Sequence, residues 1–288
     1  LRYLNNIELI YVPETWLLGK IPKYNLYGNL IRAGNILKKP FIGYIFSIFP
    51  QQNNELRTSL ISNKINCNSV HQIVSDKMKI IYDESKIPVV VMGPQRFYNN
   101  WVREVIKYFL KDKRVVFINN LIRNKSAVLI ILKNRSGPSS KVFSENKRLE
   151  YRLKLFRTLI NNGFYLVIKP HPGENSDLLI QELKNINNDQ YYISELPAIY
   201  LSTICECGVF EFPSNSVMDI IAAGKVAYFP INEILKIYPD LYNGDIIGNL
   251  LELGFPKYFF NLISEEIPQK NKIIRPIDIR KNYDIDIN

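Results

Sequence analysis

The chain has 288 residues, of which 47% are hydrophobic, and this composition is typical of a globular protein and excludes a disordered one. Lysine and arginine outnumber aspartate and glutamate by 37 to 27, so the formal charge of +10 favours an anionic partner. A nucleic acid, an anionic membrane and a sugar nucleotide all meet that condition. Because the sequence carries no signature of a nucleic-acid-binding module, we expect no nucleic-acid partner.

The cysteines indicate a reducing compartment. Cys67, Cys205 and Cys207 are three in number and no signal peptide precedes them, so we predict reduced thiols and a cytoplasmic protein. Cys205 and Cys207 form a single C-x-C pair without a second pair or a nearby histidine at zinc spacing. We therefore predict that they are small core residues and that the protein has no metal site.

Two further features concern the N-terminal part. The most apolar stretch, residues 40–50, is about half the length that spans a bilayer, which predicts a buried strand and no transmembrane helix. A surface that faces a membrane or an acceptor is the alternative for this stretch. The sequence begins with Leu1, so we also expect a truncated N-terminal domain that lacks its first strand.

Short apolar runs alternate with amphipathic stretches in the first part of the chain. Strands are predicted at residues 7–12, 78–82 and 89–92, a helix at 101–110 from its apolar spacing, and a further strand at 115–118. This irregular alternation predicts an N-terminal Rossmann-like domain.

The alternation is clearer after residue 122. Strands are predicted at residues 127–132, 164–168, 191–193, 209–212 and 226–229, and helices at 144–161, 176–185 and 214–223, with a short segment at 197–201. Strands that alternate with helices in this way predict a parallel, doubly wound sheet. We therefore predict the α/β class and two domains, residues 1–122 and residues 123–288.

The Lys169-Pro170-His171-Pro172 segment follows one of these predicted strands directly. In an open α/β sheet the ligand crevice lies beyond the carboxyl ends of the strands, so Lys169 and His171 are placed to face a bound anion. The two prolines restrict the backbone around the imidazole. The alternative interpretation is a loop histidine that is satisfied by local hydrogen bonds.

A serine-containing segment, Ser214-Asn215-Ser216, follows another predicted strand. We predict that Ser214 is the N-cap of a helix whose free backbone N–H groups and positive dipole end form a phosphate site. The hydroxyls of Ser214 and Ser216 would be additional donors. An ordinary serine cap is the alternative.

A third cluster is basic. Five residues of the predicted helix at 144–161 are predicted to form one broad solvated face, with a membrane-surface patch as the alternative: Lys147, Arg148, Arg152, Lys154 and Arg157.

The His-Pro loop and the serine pair together resemble bacterial sialyltransferases with the GT-B architecture, and in particular glycosyltransferase family 52. The resemblance covers residues 125–235 and implies two Rossmann-like domains that face a cleft. It also implies an inverting, metal-independent transfer of sialic acid from CMP-sialic acid to a hydroxyl of a bacterial surface polysaccharide or lipooligosaccharide, with no further cofactor. His171 matches the family histidine, as general acid or phosphate ligand, and the nucleotide would be bound by Lys169, Pro172, Ser214, Asn215 and Ser216.

The catalytic base remains a choice between two residues. The family carries an acidic pair followed by glycine, and this sequence departs from that pattern. Glu145 has Asn146 and Lys147 in place of the second acid and the glycine, and Asp83 is followed by Glu84 and then by Ser85 instead of glycine. An exposed surface carboxylate is the alternative for each.

Two other functions stay open on the sequence. A CDP-glycerol or polyol-phosphate transferase also carries a His-Pro loop and a serine-bearing helix start, but it uses a second histidine, for which His71 is a poor candidate. A catalytically inactive GT-B-like nucleotide-binding protein is the other. The D-x-D sequence at Asp284 is predicted to be a solvated tail. The expected location is the cytoplasm, and the basic charge permits peripheral contact with the anionic inner face of the membrane.

Overall fold

A computed structural model describes residues 10–13, 37, 41–44, 69–73, 88–91, 99–133, 143–241, 248 and 263–273. The chain divides into two compact units. Residues 96–279 form the second unit, and the remainder forms the first. Each unit contains a parallel sheet, which confirms the predicted α/β class.

The described strands of the first unit form a four-stranded parallel sheet in chain order. They are β1 (Ile10–Pro13), β2 (Phe41–Tyr44), β3 (Ser69–Ile73) and β4 (Val89–Val91). Within the sheet, His71 lies between Gly43 of β2 and Val89 of β4. The predicted strand at residues 78–82 and the candidate base Asp83 lie outside the described residues.

Strands and helices alternate through the second unit. Its strands are β5 (Ala127–Ile131), β6 (Tyr165–Lys169), β7 (Tyr191–Ile193), β8 (Cys207–Phe210) and β9 (Ala227–Tyr228). Its helices are α1 (Asn99–Phe109), α2 (Lys113–Ile122), α3 (Glu145–Asn161), α4 (Ser176–Leu183), α5 (Ala198–Ile204), α6 (Val217–Ala222) and α7 (Ile231–Ile237), with short 3₁₀ turns at Asn188–Gln190 and Pro239–Leu241.

The five strands of this unit are all parallel and lie in the order β7-β6-β5-β8-β9. Counted from the start of the unit, this is the order 3-2-1-4-5 of the Rossmann fold, in which the direction of winding reverses between the first and fourth strands. Here the reversal lies between β5 and β8. Because Ile131 pairs with Lys169 on one side and with Phe210 on the other, the last residues of β5, β6 and β8 lie side by side at one edge. We call it the carboxyl edge.

The core of the second unit lies on both faces of β5 and β6. All five residues of β5 are buried, as are the first four of β6, which explains why both strands are continuous apolar runs. Helix α3 covers them with a buried face that includes Leu155, Phe156 and Leu159. The Ser144 hydroxyl caps this helix by accepting a hydrogen bond from the Lys147 N–H, and Gly163, with φ of 87°, follows its end.

The predicted strand at residues 115–118 is wrong, because this segment lies in α2. The Asp112 carboxylate accepts a hydrogen bond from the Arg114 N–H and caps the helix. Val115 and Ile118 are buried at helical spacing, whereas the intervening Val116 and Phe117 are 57% and 55% exposed. A strand would not place two consecutive apolar side chains in solvent on the same side of the chain.

Helices α1 and α2 belong to the second unit, so the division in the structure lies before α1, at residues 95/96, whereas the sequence interpretation placed it after α2, at 122/123. Helix α1 packs against α5. Helix α2 is joined to α5 by a hydrogen bond of 3.0 Å from the Asn119 amide nitrogen to the Tyr200 hydroxyl. These contacts connect both helices to the second sheet.

The structure also describes the surroundings of the C-x-C cysteines and the character of the helices. Cys205 and Cys207 are buried free thiols, of which Cys207 is the first residue of β8 and Cys205 lies two residues before it. Burial raises the pKa of both thiols, so they stay protonated. None of the helices in the described ranges combines the length and the apolar character needed to cross a bilayer.

Candidate functional site

The candidate site is the carboxyl edge of the second sheet, where the chain leaves β5, β6 and β8. Lys133 follows β5, His171 follows β6 and Ser214 follows β8. Backbone hydrogen bonds continue past the strand ends, from the Leu132 N–H to the Lys169 carbonyl at 3.0 Å and from the Glu211 N–H to the Ile131 carbonyl at 3.1 Å. The three segments therefore leave the sheet as neighbours, at the point where a Rossmann-type sheet binds its ligand.

His171 is half-buried and is held in a tight turn. Its Nδ1 accepts a hydrogen bond from the Gly173 N–H at 3.1 Å, and its carbonyl accepts one from the Glu174 N–H at 2.8 Å. A ring nitrogen that accepts is unprotonated, so the neutral imidazole carries its proton on Nε2. The local hydrogen bonds that were the alternative interpretation are therefore present, and they leave Nε2–H as a donor.

The surroundings of His171 favour its neutral form. Burial lowers the pKa of the imidazole below its usual value, the positive charges of Lys133 and Lys169 lower it further, and Glu174 opposes them. Lys133 and Lys169 are themselves half-buried, and burial lowers the pKa of each. At Lys169 the charges of Asp219 and Glu195 oppose that shift.

Lys133, Lys169 and His171 form a cationic group at the carboxyl edge. Each of the two lysines interacts electrostatically with the imidazole. The structure records no ion pair for the Lys133 ammonium within the described part of the chain. The three side chains thus supply two positive charges and one N–H donor to the same edge, which is the chemistry of an anion site.

The prediction that Ser214 is an N-cap is wrong. Helix α6 begins at Val217, and the carbonyls of Ser214, Asn215 and Ser216 each accept a hydrogen bond from the N–H three residues further on. The segment is therefore a tightened turn before a six-residue helix. The Ser214 hydroxyl accepts from the Ser216 N–H at 3.4 Å, inside this turn. The cationic group, and not a serine-capped helix, supplies the positive charge at this edge.

The remaining predicted site residues lie around the same edge. Glu145 is the first residue of α3, whose N-terminus lies at the carboxyl edge because α3 connects the end of β5 to the start of β6; its side chain is exposed. Pro172 is exposed in the His171 turn, and Asn215 is half-buried. The functional roles of these residues, and of Asp83, stay predictions.

The basic face predicted on α3 is wrong for two of its members. Arg148 and Arg152 are 4% and 1% exposed. They lie on the helix stripe that continues through Leu155 and Leu159, both of which are buried in the core. The two arginines are therefore enclosed by protein, and they need buried partners.

Arg152 is the centre of a buried ionic cluster. Its Nε and Nη2 donate to the two carboxylate oxygens of Glu211 at 2.8 and 2.9 Å. Its Nη1 donates to Glu174 at 3.0 Å and to Glu182 at 2.7 Å, and Arg148 Nε lies 3.7 Å from a Glu211 oxygen. Burial by itself would lower the pKa of Arg152, but the attraction of Glu211, together with Glu174 and Glu182, raises it. We call these five residues the Arg152 cluster.

The Arg152 cluster is connected to all three segments of the site. Glu174 belongs to the His171 turn, Glu211 directly follows β8, and a Glu211 oxygen also accepts the Lys133 N–H at 3.1 Å. Sequence reasoning missed Lys133, Glu211 and Arg152. The signal for Lys133 was its place directly beyond a predicted apolar run, which is the same signal that identified Lys169. Glu211 lies inside the strand predicted at residues 209–212, and its signal was a single carboxylate within an apolar run.

The comparisons with known proteins leave the family open. No protein-family model matches the chain. A curated relative, an uncharacterized protein of Methanocaldococcus jannaschii, is 24% identical over 226 residues, which cover 74% of this chain and 39% of that protein. The chain therefore spans well under half the length of this relative.

Solved structures with which the chain aligns include trehalose-phosphate synthases. Those of Burkholderia xenovorans, Burkholderia vietnamiensis and Burkholderia multivorans are 11%, 12% and 13% identical, with TM-scores of 0.43, 0.43 and 0.42. The alignments cover 76% of this chain and 57%, 58% and 55% of those chains. Values this low assign neither an activity nor a substrate.

Proposed function

We propose that this protein is a glycosyltransferase that binds the phosphate of a nucleotide-activated sugar at the carboxyl edge of its second sheet. The observation that carries the proposal is the cationic group, Lys133, Lys169 and His171, at the point where a sheet of Rossmann order reverses its winding. Anionic ligands bind at such points in open α/β sheets.

The electrostatics of the group favour a bound anion. Burial lowers the pKa of His171 most, and the positive charges of the two half-buried ammonium groups of Lys133 and Lys169 lower it further, so positive charge is unfavourable at this edge in the absence of an anion. A phosphate would offset that positive charge and accept hydrogen bonds from both lysines and from the His171 Nε2–H. The nearby carboxylates of Glu174 and Glu211 are both hydrogen-bonded to Arg152, whose positive charge offsets part of their effect on the cationic group.

For the donor we propose CMP-sialic acid, because the His-Pro loop and the serine pair resemble the motifs of bacterial sialyltransferases. In the reaction the acceptor hydroxyl oxygen forms a bond to the anomeric carbon of sialic acid. The bond from that carbon to the phosphate oxygen breaks, and its electron pair stays on the departing CMP. The hydroxyl proton goes to a carboxylate, for which Glu145 and Asp83 are the candidates.

The cationic group would act on the leaving CMP. As the bond breaks, the phosphate gains a negative charge, which Lys133, Lys169 and the His171 Nε2–H would stabilise. The Gly173 N–H donates to His171 Nδ1, and the pKa of the imidazole is lowered. Both observations favour a neutral imidazole that donates a hydrogen bond to the phosphate, and not an imidazolium that acts as a general acid. Of the two roles expected for His171, general acid and phosphate ligand, these observations support the phosphate ligand.

A binding experiment tests the anion site without any assumption about the acceptor. Lys125 and Lys133 lie just before and just after β5, at opposite edges of the same sheet, so they form a matched pair. Isothermal titration with CMP should show that Lys133→Gln weakens binding by about tenfold, or about 1.4 kcal/mol, whereas Lys125→Gln changes it less than about twofold. Equal effects of the two substitutions would contradict the site.

A turnover experiment tests the donor. With CMP-sialic acid and a glycan acceptor, His171→Ala should lower kcat by about 10²- to 10³-fold while the circular dichroism spectrum stays that of the parent protein. Turnover of CDP-glycerol in place of CMP-sialic acid would make the protein a polyol-phosphate transferase. Binding of CMP without transfer or donor hydrolysis would make it a nucleotide-binding protein.

A further inference from the structure

We propose that Arg152 and Glu174 are positioning residues, which hold the His171 imidazole in its donor orientation from beneath the site. For its effect on phosphate binding the proposal rests on the proposed function. The orientation of His171 can be measured without any ligand, so the two can be tested separately.

The contacts run from the core to the imidazole. The Glu174 side chain is fully buried and accepts a hydrogen bond from Arg152 Nη1 at 3.0 Å. The Glu174 N–H donates to the His171 carbonyl, which closes the turn, and within that turn the Gly173 N–H donates to His171 Nδ1. Arg152 thus contacts Glu174, and Glu174 contacts His171, whose Nδ1 accepts the hydrogen bond that sets the tautomer.

Arg152 is itself held in place by the sheet. Its two hydrogen bonds to Glu211 are bidentate, and Glu211 directly follows β8 and also accepts the Lys133 N–H. A planar guanidinium fixes the directions of its N–H groups, so carboxylates bonded to it are oriented as well as attracted. The His171 turn and the Lys133 segment are thereby set relative to each other through one side chain.

Among the described residues, the structure records no comparable anchor on the solvent side of the His171 turn. Pro172 and Gly173 are exposed, and glycine resists conformational change less than any other residue. Weakening the buried contact of Glu174 would leave a larger share of the turn's stability to its two local hydrogen bonds. We therefore expect the imidazole to lose its fixed tautomer when that contact is weakened.

Arg152 is not the residue to substitute first, because its loss would remove its hydrogen bonds to three buried carboxylates and would threaten the fold. Glu174 and Glu182 form a better pair. Both accept from the same Arg152 Nη1, at 3.0 and 2.7 Å, and both have side chains that are at most 9% exposed. Only Glu174 belongs to the His171 turn, since Glu182 lies on α4. Glu174→Gln and Glu182→Gln thus remove the same charge from the same cluster.

The chain contains only two histidines, His71 and His171, so the imidazole ¹⁵N spectrum holds two sets of signals that a His71→Gln variant assigns. At about pH 8, above the usual imidazole pKa, His171 should be the Nε2–H tautomer in the parent protein and in Glu182→Gln. In Glu174→Gln it should become a mixture of both tautomers, and the affinity for CMP should fall about tenfold. The melting temperatures of the two variants should fall by similar amounts.

If the tautomer populations of His171 are the same in both variants, the positioning role is wrong, whatever the variants do to CMP binding. If the tautomer changes only in Glu174→Gln but the parent protein does not bind CMP, the positioning role stands and the proposed function fails. Should Glu174→Gln not fold, Glu174→Asp and Glu182→Asp, which keep the charge and shorten the reach, are compared by the same spectrum and with the same criterion.

Discussion

At the scale of single residues, His171 is set by its neighbours to donate a hydrogen bond as a neutral ring. The Gly173 N–H donates a hydrogen bond to Nδ1. Burial lowers the pKa of the imidazole, the charges of Lys133 and Lys169 lower it further, and the charge of Glu174 opposes them. In the free protein this shift contributes to stability above about pH 6.5, the value for an unfolded chain. That contribution is lost as the pH falls through the lower pKa of the folded state.

The same shift predicts how CMP binding depends on pH. A bound phosphate attracts the imidazolium and raises the pKa of His171, so binding takes up protons and the affinity should rise as the pH falls through the pKa of the complex. The phosphate of CMP also titrates, at about pH 6. A His171→Gln variant retains that titration and serves as the control in calorimetry. Identical pH profiles for the parent protein and the variant would show that His171 does not contact the phosphate.

At the scale of secondary structure, the closeness of β8 and α6 fixes the position of the serine turn between them. A side chain added at Gly208 of β8 would bring its Cβ to 2.7 Å from Cγ1 of Ile220, which is buried on α6. No side chain larger than hydrogen fits there unless the Ile220 side chain or its helix shifts. The Ser214–Ser216 turn is therefore held at the carboxyl edge by strand-to-helix packing on its C-terminal side.

We expect Gly208→Ala to lower the free energy of unfolding by about 1–3 kcal/mol, as overpacking does. Adding Ile220→Val removes the Cδ1 atom, which lies closest to the new methyl group, and should restore part of the loss in denaturant unfolding. Gly224→Ala is the control, because a Cβ there has no neighbour within 4 Å but the φ of 72° strains it. Adding Ile220→Val should not restore the free energy of unfolding that Gly224→Ala loses. If Ile220→Val restored stability equally in both glycine variants, the steric explanation would be contradicted.

At the scale of the whole molecule, the second unit contains every described residue of the proposed phosphate site. Residues 96–279 include the five-stranded sheet, its core, the cationic group and the Arg152 cluster. The proposed acceptor, in contrast, is assigned to the first unit only by the resemblance to sialyltransferases. The isolated second unit should therefore bind the donor nucleotide without catalysing transfer.

A fragment of residues 96–279 should fold and unfold cooperatively, bind CMP within about threefold of the full chain, and lack transferase activity, since the proposed acceptor is assigned to the first unit. Circular dichroism during thermal unfolding and calorimetry with CMP measure these properties. A fragment of residues 123–279, which begins at the boundary expected from the sequence, should fold less stably because it lacks α1 and α2. Equal stability of the two fragments would favour the boundary at 122/123.

Much of the second unit could be predicted because its signals are local. The Ser144 cap and Gly163 bracket α3 to within one residue of the prediction, and the apolar runs locate β5 and β6 equally well. Local signals also misled. The Val115–Ile118 run is rich in β-branched and aromatic residues, which favour a strand, but Asp112 and the buried helix face decide for α2. The helix expected from Ser214 begins at Val217, since the serine hydroxyl bonds within its own turn.

The sequence alone determined the alternation of strands and helices, and it placed a lysine and a histidine at the end of β6, because hydrophobic periodicity and strand ends depend on neighbouring residues. Which charges are buried was decided by the tertiary structure. Arg152 is hydrogen-bonded to Glu174 and Glu211, which lie 22 and 59 residues away from it in the sequence. Such partners meet only because β6 and β8 lie on either side of β5 in the sheet. A run of basic residues on a helix does not show which of them face solvent and which lie beneath the site.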